Sequence, residues 1–238
     1  MHRHDTYAIG FTLSGVQSFR YRGSIRNSVP GGTLVLHPDE LHDGQAGVEG
    51  GFRYRMAYIE PAAIQQVLGG RSLPYVGGGL SGDPHLATAV RRLLRSPDIH
   101  VEAFEYEDIL YELAQALLAA SDTQRCSART SPDYIAAERV RSYLREQVPH
   151  PVTLAQLEQI SGRSRWNLSR DFRCLFGTSP YRYLVMRRLD RVKQLLSSGV
   201  PAAQAAIEAG FADQSHMTRH FARAFGIPPT RWLRTLRR

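Results

Sequence analysis

Two copies of one punctuation pattern lie forty-nine residues apart in the last third of this 238-residue chain, and any fold has to accommodate both. The second copy runs over residues 206–232, AIEAGFADQSHMTRHFARAFGIPPTRW. Ala202, Ala203, Ala205, Ala206 and Ile207 form a small-residue helix that another helix can approach closely, and Gly210 suits the reversal that ends it. Asp213 then caps the next helix, its carboxylate accepting from the free N–H groups of the first turn. That helix sets Met217, Phe221 and Phe225 on one side at spacings of four and leaves Gln214, His216, Arg219, His220 and Arg223 elsewhere. Gly226 and Pro228-Pro229 stop it. The stretch reads as a helix-turn-helix.

Upstream, Ser164, Leu168, Arg170, Phe172, Phe176, Gly177, Pro180, Arg182 and Tyr183 stand where the second copy has Asp213, Met217, Arg219, Phe221, Phe225, Gly226, Pro229, Arg231 and Trp232. A single helical pair joined at glycine is often no more than core packing. Two copies in register, both bearing arginine, indicate an internal duplication with a shared task.

Charge says what the task is. Residues 132–238 carry eighteen Lys and Arg against eight Asp and Glu, a net +10, whereas residues 1–131 carry twelve against fourteen, a net −2. The basic half is the duplicated half, which points at the phosphates of duplex DNA. Seventeen of its eighteen cations are Arg, whose planar fork fits phosphate and the guanine edge. No apolar run is long enough to cross a bilayer and the start, MHRHDTYAIG, lacks the apolar segment of a signal peptide, so a cytoplasmic, nucleoid-associated protein with no membrane partner is expected. Cys126 and Cys174 lack metal or redox spacing and read as reduced thiols.

The first sixty residues are β-rich, with runs at 7–13, 16–21, 32–36 and 51–59 separated by glycine and proline. Phe19-Arg20-Tyr21-Arg22 alternates aromatic and basic side chains between faces. A short helix at 61–68, a loop at 69–82 and helices at 84–95 and 101–120 follow; the helical pair either covers the sheet or forms a homodimer contact through residues 84–120. Residues 123–131 are polar and aperiodic, a linker. Thr153 and Gln156 make a capping box, and a helix from Pro180 to Leu196 spans about 25 Å. Such a spacer can place two recognition helices in successive major grooves.

Taken together, SGRSRWNLSRDFRCLFGTSPYRYLVMRRLDRVKQLL and GFADQSHMTRHFARAFGIPPTRW resemble the DNA-binding domain of the AraC/XylS family of bacterial transcription regulators. The resemblance covers residues 132–238 and implies an all-α domain of about seven helices, with helix-turn-helix units at about 153–176 and 202–226, that binds double-stranded DNA and engages RNA polymerase. Carried onto this chain, the base readers are Arg165, Trp166, Asn167, Ser169 and Arg170, and Gln214, Ser215, His216, Thr218 and Arg219. Arg173 and Arg223, with Arg182, Arg187 and Arg231, suit phosphate. Arg170 and Arg219 have a second reading, as ion-paired braces of their own repeats.

HRHDTYAIG and GGTLVLHPDELHDG resemble the cupin-like effector domain of such regulators, which implies an antiparallel β-barrel with a helical cover over residues 1–122. The same resemblance would set another strand before His2, so that the barrel lacks its first strand or Met1 is not the native start. Small-molecule contacts are assigned to His4, Tyr7, Arg20, Arg22, His42, Arg53 and Tyr54. A metal would use His2, His4 and His42, but the acidic ligand expected near the paired histidines is missing, since Tyr7, Ala8, Ile9 and Gly10 stand there; no cofactor is expected. The chain thus reads as an α+β multidomain regulator, an activator of this family type and not an enzyme. Its rivals are an effector-independent regulator whose barrel only dimerises, and a metal-dependent cupin enzyme fused to DNA-binding helices.

Overall fold

The computed structural model describes residues 1–95, 102–122 and 131–236. Contacts divide it into two compact units: Asp5–Pro132 with Cys174–Gly177, and Met1–His4 with Asp133–Arg173 and Thr178–Arg238.

The first unit holds two antiparallel sheets. Strands β1 (Tyr7–Gly15), β4 (Thr33–Leu36), β6 (Phe52–Ile59) and β7 (Leu80–Ser81) pair in the order β6-β1-β4-β7, and β2 (Gln17–Tyr21), β3 (Ser24–Ser28) and β5 (Gln45–Ala46) in the order β3-β2-β5. Both faces of β1 are used. Tyr7 and Ile9, with Val35 and Ile59, pack under the helices, while Ala8, Leu34 and Leu36 join Phe19 and Tyr21 of the second sheet. Burial on two faces is why β1 and β4 read as continuous apolar runs and not as alternating ones. Gly10 on β1 sits so close to β6 that a Cβ there would lie 2.1 Å from the Arg55 carbonyl oxygen.

Helices α1 (Pro61–Leu68), α2 (Pro84–Leu93) and α3 (Ala103–Ala119) cover the four-stranded sheet through Ile64, Leu68, Leu86, Val90, Leu110, Leu113 and Leu117. The pair α2 and α3 therefore acts as a cover, and α3 turns Tyr106, Glu107, Asp108, Tyr111 and Glu112 outward. Three strands went unread in the sequence. β5 and β7 have two residues each, too few for any periodicity, and four of the five β3 residues are exposed.

The second unit contains seven helices among its described residues: α4 (Tyr134–Glu146), α5 (Leu154–Ser161), α6 (Arg165–Phe176), α7 (Pro180–Ser197), α8 (Ala202–Glu208), α9 (Gln214–Phe225) and α10 (Pro229–Leu236). Two starts follow the predicted caps: Thr153 and Gln156 form the capping box, and Asp213 Oδ1 accepts from the His216 N–H at 2.7 Å. Ser179 Oγ caps α7 in the same way, accepting from the Arg182 N–H at 3.3 Å. Val185, Leu189 and Val192 of α7 pack with Ala205, Ala206, Phe211, Met217 and Phe221. The duplication extends to packing. Phe172 meets Tyr183 edge-on at 5.7 Å and 68°, and their counterparts Phe221 and Trp232 meet at 5.8 Å and 66°.

One cysteine expectation is corrected: Cys174 is disulfide-bonded, not a reduced thiol. Cys126 and nearly all of the linker at 123–131 lie outside the described residues.

Candidate nucleic-acid interface

α6 and α9 are both twelve residues long and begin forty-nine positions apart, so equivalent side chains leave equivalent turns. In each, the inner face is spent on the core, with Leu168 and Phe172 in α6 and Met217 and Phe221 in α9 all buried. The first turn is left outside. Arg165, Trp166 and Asn167 are exposed, as are Gln214 and Ser215, while Ser169, Arg170, His216 and Thr218 are partly covered. Trp166, 79% exposed, is the least covered of the large apolar side chains described.

The two repeats differ in how their cations are held. Arg170 Nε and Nη2 donate to Asp171 Oδ1 at 3.0 and 2.8 Å, and Arg163 Nη2 donates to Asp171 Oδ2 at 3.1 Å. The Asp133 N–H adds a longer bond of 3.3 Å to the same carboxylate, which is only 1% exposed. Arg170 is thus held in an ion pair of the kind its second reading invoked. Arg219 is exposed, and its side chain makes no ion pair or hydrogen bond among the described residues.

The Arg165 N–H donates to Glu158 Oε1 at 2.7 Å, and its guanidinium lies 3.4 Å from the same oxygen. Arg173 donates back to Ser169, and Arg187 sits 3.2 Å from Asp190 with its guanidinium over the Tyr183 ring at 5.3 Å. Arg182, Arg223 and Arg231 are exposed. Asp171, Glu158 and Arg163, which hold the first repeat together, were not singled out from the sequence, because ion pairs between residues several positions apart leave no local signature.

In the sheet unit the effector candidates part company. Tyr7 is fully buried, its hydroxyl donating to the Pro74 carbonyl at 2.6 Å, and burial raises its pKa well above the usual phenol. His42 is buried, with Nδ1 2.9 Å from the Glu40 carbonyl oxygen; burial, ahead of the opposing pull of Glu40 and Asp43, lowers its pKa. Arg22, at φ 52°, donates to the Tyr75 hydroxyl at 2.5 Å and lies 3.6 Å from Glu40.

Arg20 and Arg53 are corrections. Both are exposed and alternate away from the faces that bear Phe19, Tyr21 and Met56, so neither points between the sheets. Tyr54 lies on the Met56 side of β6, opposite Thr12, half exposed and stacked on Phe52 at 5.6 Å. His37, just past the end of β4, is buried with its ring 5.1 Å from Tyr7 and 5.3 Å from Tyr75. The apolar run of β4 simply continues into it. His2 and His4, with ring centroids 6.2 Å apart, group with the helical unit and His42 with the sheet unit.

Residues 1–114 match the model of an AraC-like ligand binding domain, and residues 157–235 that of a helix-turn-helix domain. The HTH-type transcriptional regulator YbfI of Bacillus subtilis is 28% identical over 221 residues, covering 91% of this chain and 80% of the relative. The chain joins an AraC-like ligand binding domain to a helix-turn-helix domain, and the relatives it resembles are AraC-family transcription regulators. This regulator is therefore a DNA-binding protein with an N-terminal ligand-binding domain. The multiple antibiotic resistance protein MarA of Escherichia coli is 28% identical over 109 residues, 45% of this chain and 86% of that protein. ToxT from Vibrio cholerae O395 has the same fold, with a TM-score of 0.66 over 99% of the regulator and 91% of ToxT at 13% identity. Another structure of ToxT contains a bound unsaturated fatty acid. Among the described residues no helix is long and apolar enough to cross a membrane.

Proposed function

We propose that the regulator reads a two-part duplex site with the first turns of α6 and α9, and that α9 supplies most of the sequence selectivity. The observation that carries this is the contrast between Arg219, exposed and uncommitted, and Arg170, held by Asp171. A free guanidinium can take guanine O6 and N7 in a bidentate contact, and Gln214 can do the same for adenine N6 and N7. Arg165, Trp166, Asn167 and Ser169 then serve α6, Ser215, His216 and Thr218 serve α9, and Arg173 and Arg223 meet phosphate. α7, at eighteen residues or about 27 Å, is the spacer that sets the two segments about one helical turn apart.

Selection of a random duplex pool by the purified full chain tests this. Two enriched segments about 10 base pairs apart are expected. A pool that stays random at moderate salt overturns it.

A small-molecule effector is assigned to the sheet unit, with Tyr54 as the retained inner-face contact and Arg22, Tyr7 and His42 lining one network. The bound fatty acid of ToxT supports a hydrophobic acid as the first class to screen. A ligand at a hundred times its dissociation constant adds about 2.7 kcal/mol of stability, readable as a thermal shift. The effector would bias an equilibrium between DNA-competent and incompetent arrangements. The outward face of α3 is the surface assigned to homodimerisation, and RNA polymerase is the partner at the promoter. We read the protein as a cytoplasmic regulator without enzymatic activity, a reading supported by its relatives being named as regulators.

A further inference from the structure

α9 carries a pair of groups that base reading alone leaves unexplained. His216 and His220 stand one turn apart on the same face, and their Nε2 atoms lie 3.0 Å from each other. The rings meet edge-to-face, centroids 4.7 Å apart at 74°. Phe211 flanks both, at 5.7 and 6.0 Å, and Tyr181 closes on His220 at 6.4 Å. His216 Nδ1 is buried and has no hydrogen-bond partner among the described residues, so the ring is oriented by its contact with His220 and by the aromatic packing around it.

Two imidazole nitrogens bound to one first-row cation at about 2.0–2.1 Å, subtending between a right angle and the tetrahedral angle, lie about 2.8–3.4 Å apart. The observed separation falls inside that window. A ligating imidazole must be neutral. The first repeat has Asn167 and Asp171 at these positions, and Asp171 is already bound by Arg163 and Arg170. The pair is a feature of the second repeat alone.

We propose that His216 and His220 form a two-imidazole chelate for a borderline divalent cation such as Cu²⁺, Ni²⁺ or Zn²⁺, and that its occupancy weakens sequence-selective DNA binding by committing the His216 Nε2 lone pair to the cation, out of use for a base edge. The first half stands on the geometry; the second rests on the reading role proposed above for α9. Cu²⁺ is the tightest binder expected of such a nitrogen set. Arg219 and Arg223 oppose a further positive charge beside them, which makes the site exchangeable and not structural.

The test uses the metal-stripped full chain, Cu²⁺ as the probe and paramagnetic resonance to count nitrogen-bound copper, with H216Q, H220Q and, as a control, H85Q on the exposed start of α2. Thermal melts establish that each variant is folded. Wild type and H85Q are expected to bind one more equivalent than H216Q or H220Q, whose affinity at that site falls more than about tenfold. Equal stoichiometry and affinity in all four proteins overturns the site. With a labelled duplex selected by the metal-free protein, Cu²⁺ should raise the wild-type dissociation constant about tenfold and leave H220Q unchanged. Copper bound at the pair with DNA affinity unaltered overturns the coupling. Failure of the metal-free protein to select any duplex removes the reading role of α9, while the copper count still decides the chelate.

Discussion

Arg170 grips the carboxylate of its own neighbour, Asp171, through two hydrogen bonds of 3.0 and 2.8 Å to one oxygen, and Asp171 is buried beneath it. The matched residues of the second repeat, Arg219 and His220, have no such bond. One ancestral position thus serves as a brace in one copy and is free in the other.

Removing that brace should be read in stability. Asp171→Ala leaves Arg163 and Arg170 without their shared acceptor, and charged hydrogen bonds of this kind are worth about 2 kcal/mol once partial solvent exposure of the arginines is allowed for. Urea denaturation should show a lower midpoint with an unchanged slope. A midpoint equal to wild type would mean the network is ornamental.

Arg219→Ala should cost about 1–3 kcal/mol on the selected duplex and much less on random duplex, with the preference relaxed at one position. Arg170→Ala should instead lower stability and weaken selected and random duplex by similar factors. Competition anisotropy on both duplexes separates the pair; a larger loss of selectivity at Arg170 would reverse the assignment of roles.

Trp166→Ala should leave the unfolding free energy within about 0.5 kcal/mol of wild type, because the ring is 79% exposed, yet weaken DNA binding. Unchanged affinity would place α6 away from the duplex.

Gly210 adopts φ 86°, and a Cβ there would lie 2.8 Å from the Pro149 carbonyl oxygen and 3.0 Å from Arg188 Nε. Gly210→Ala should therefore destabilise the helical unit by more than about 1 kcal/mol, measured by denaturant unfolding. Wild-type stability in this variant would show that the turn between α8 and α9 can relax.

Acid should weaken the fold through two histidines whose folded pKa values are lowered, His42 and His220, burial being the largest cause for both. The unfolded chain binds their protons first, so stability is complete above the ordinary histidine pKa of about 6.5 and falls as pH drops from there toward the folded values. Melting between pH 7.5 and 5.5 should show this decline, with a shallower slope in H220Q. Parallel slopes would assign the acid sensitivity elsewhere.

The residues by themselves determined the helical half. Caps at Thr153, Ser164 and Asp213, glycines at 177, 210 and 226, and apolar spacings of four are signals confined to one or two turns of chain, and their repetition at a fixed interval made the duplication legible before any coordinates. Tertiary structure alone decided what those signals do not encode. Which face of β2 and β6 looks inward, that His37 is buried among tyrosines, that Asp171 takes Arg170 and that His216 meets His220 all depend on how neighbouring surfaces close over a side chain. A hydrogen bond or a buried ring is fixed by the desolvation of both partners at once. No single position in a sequence carries that information.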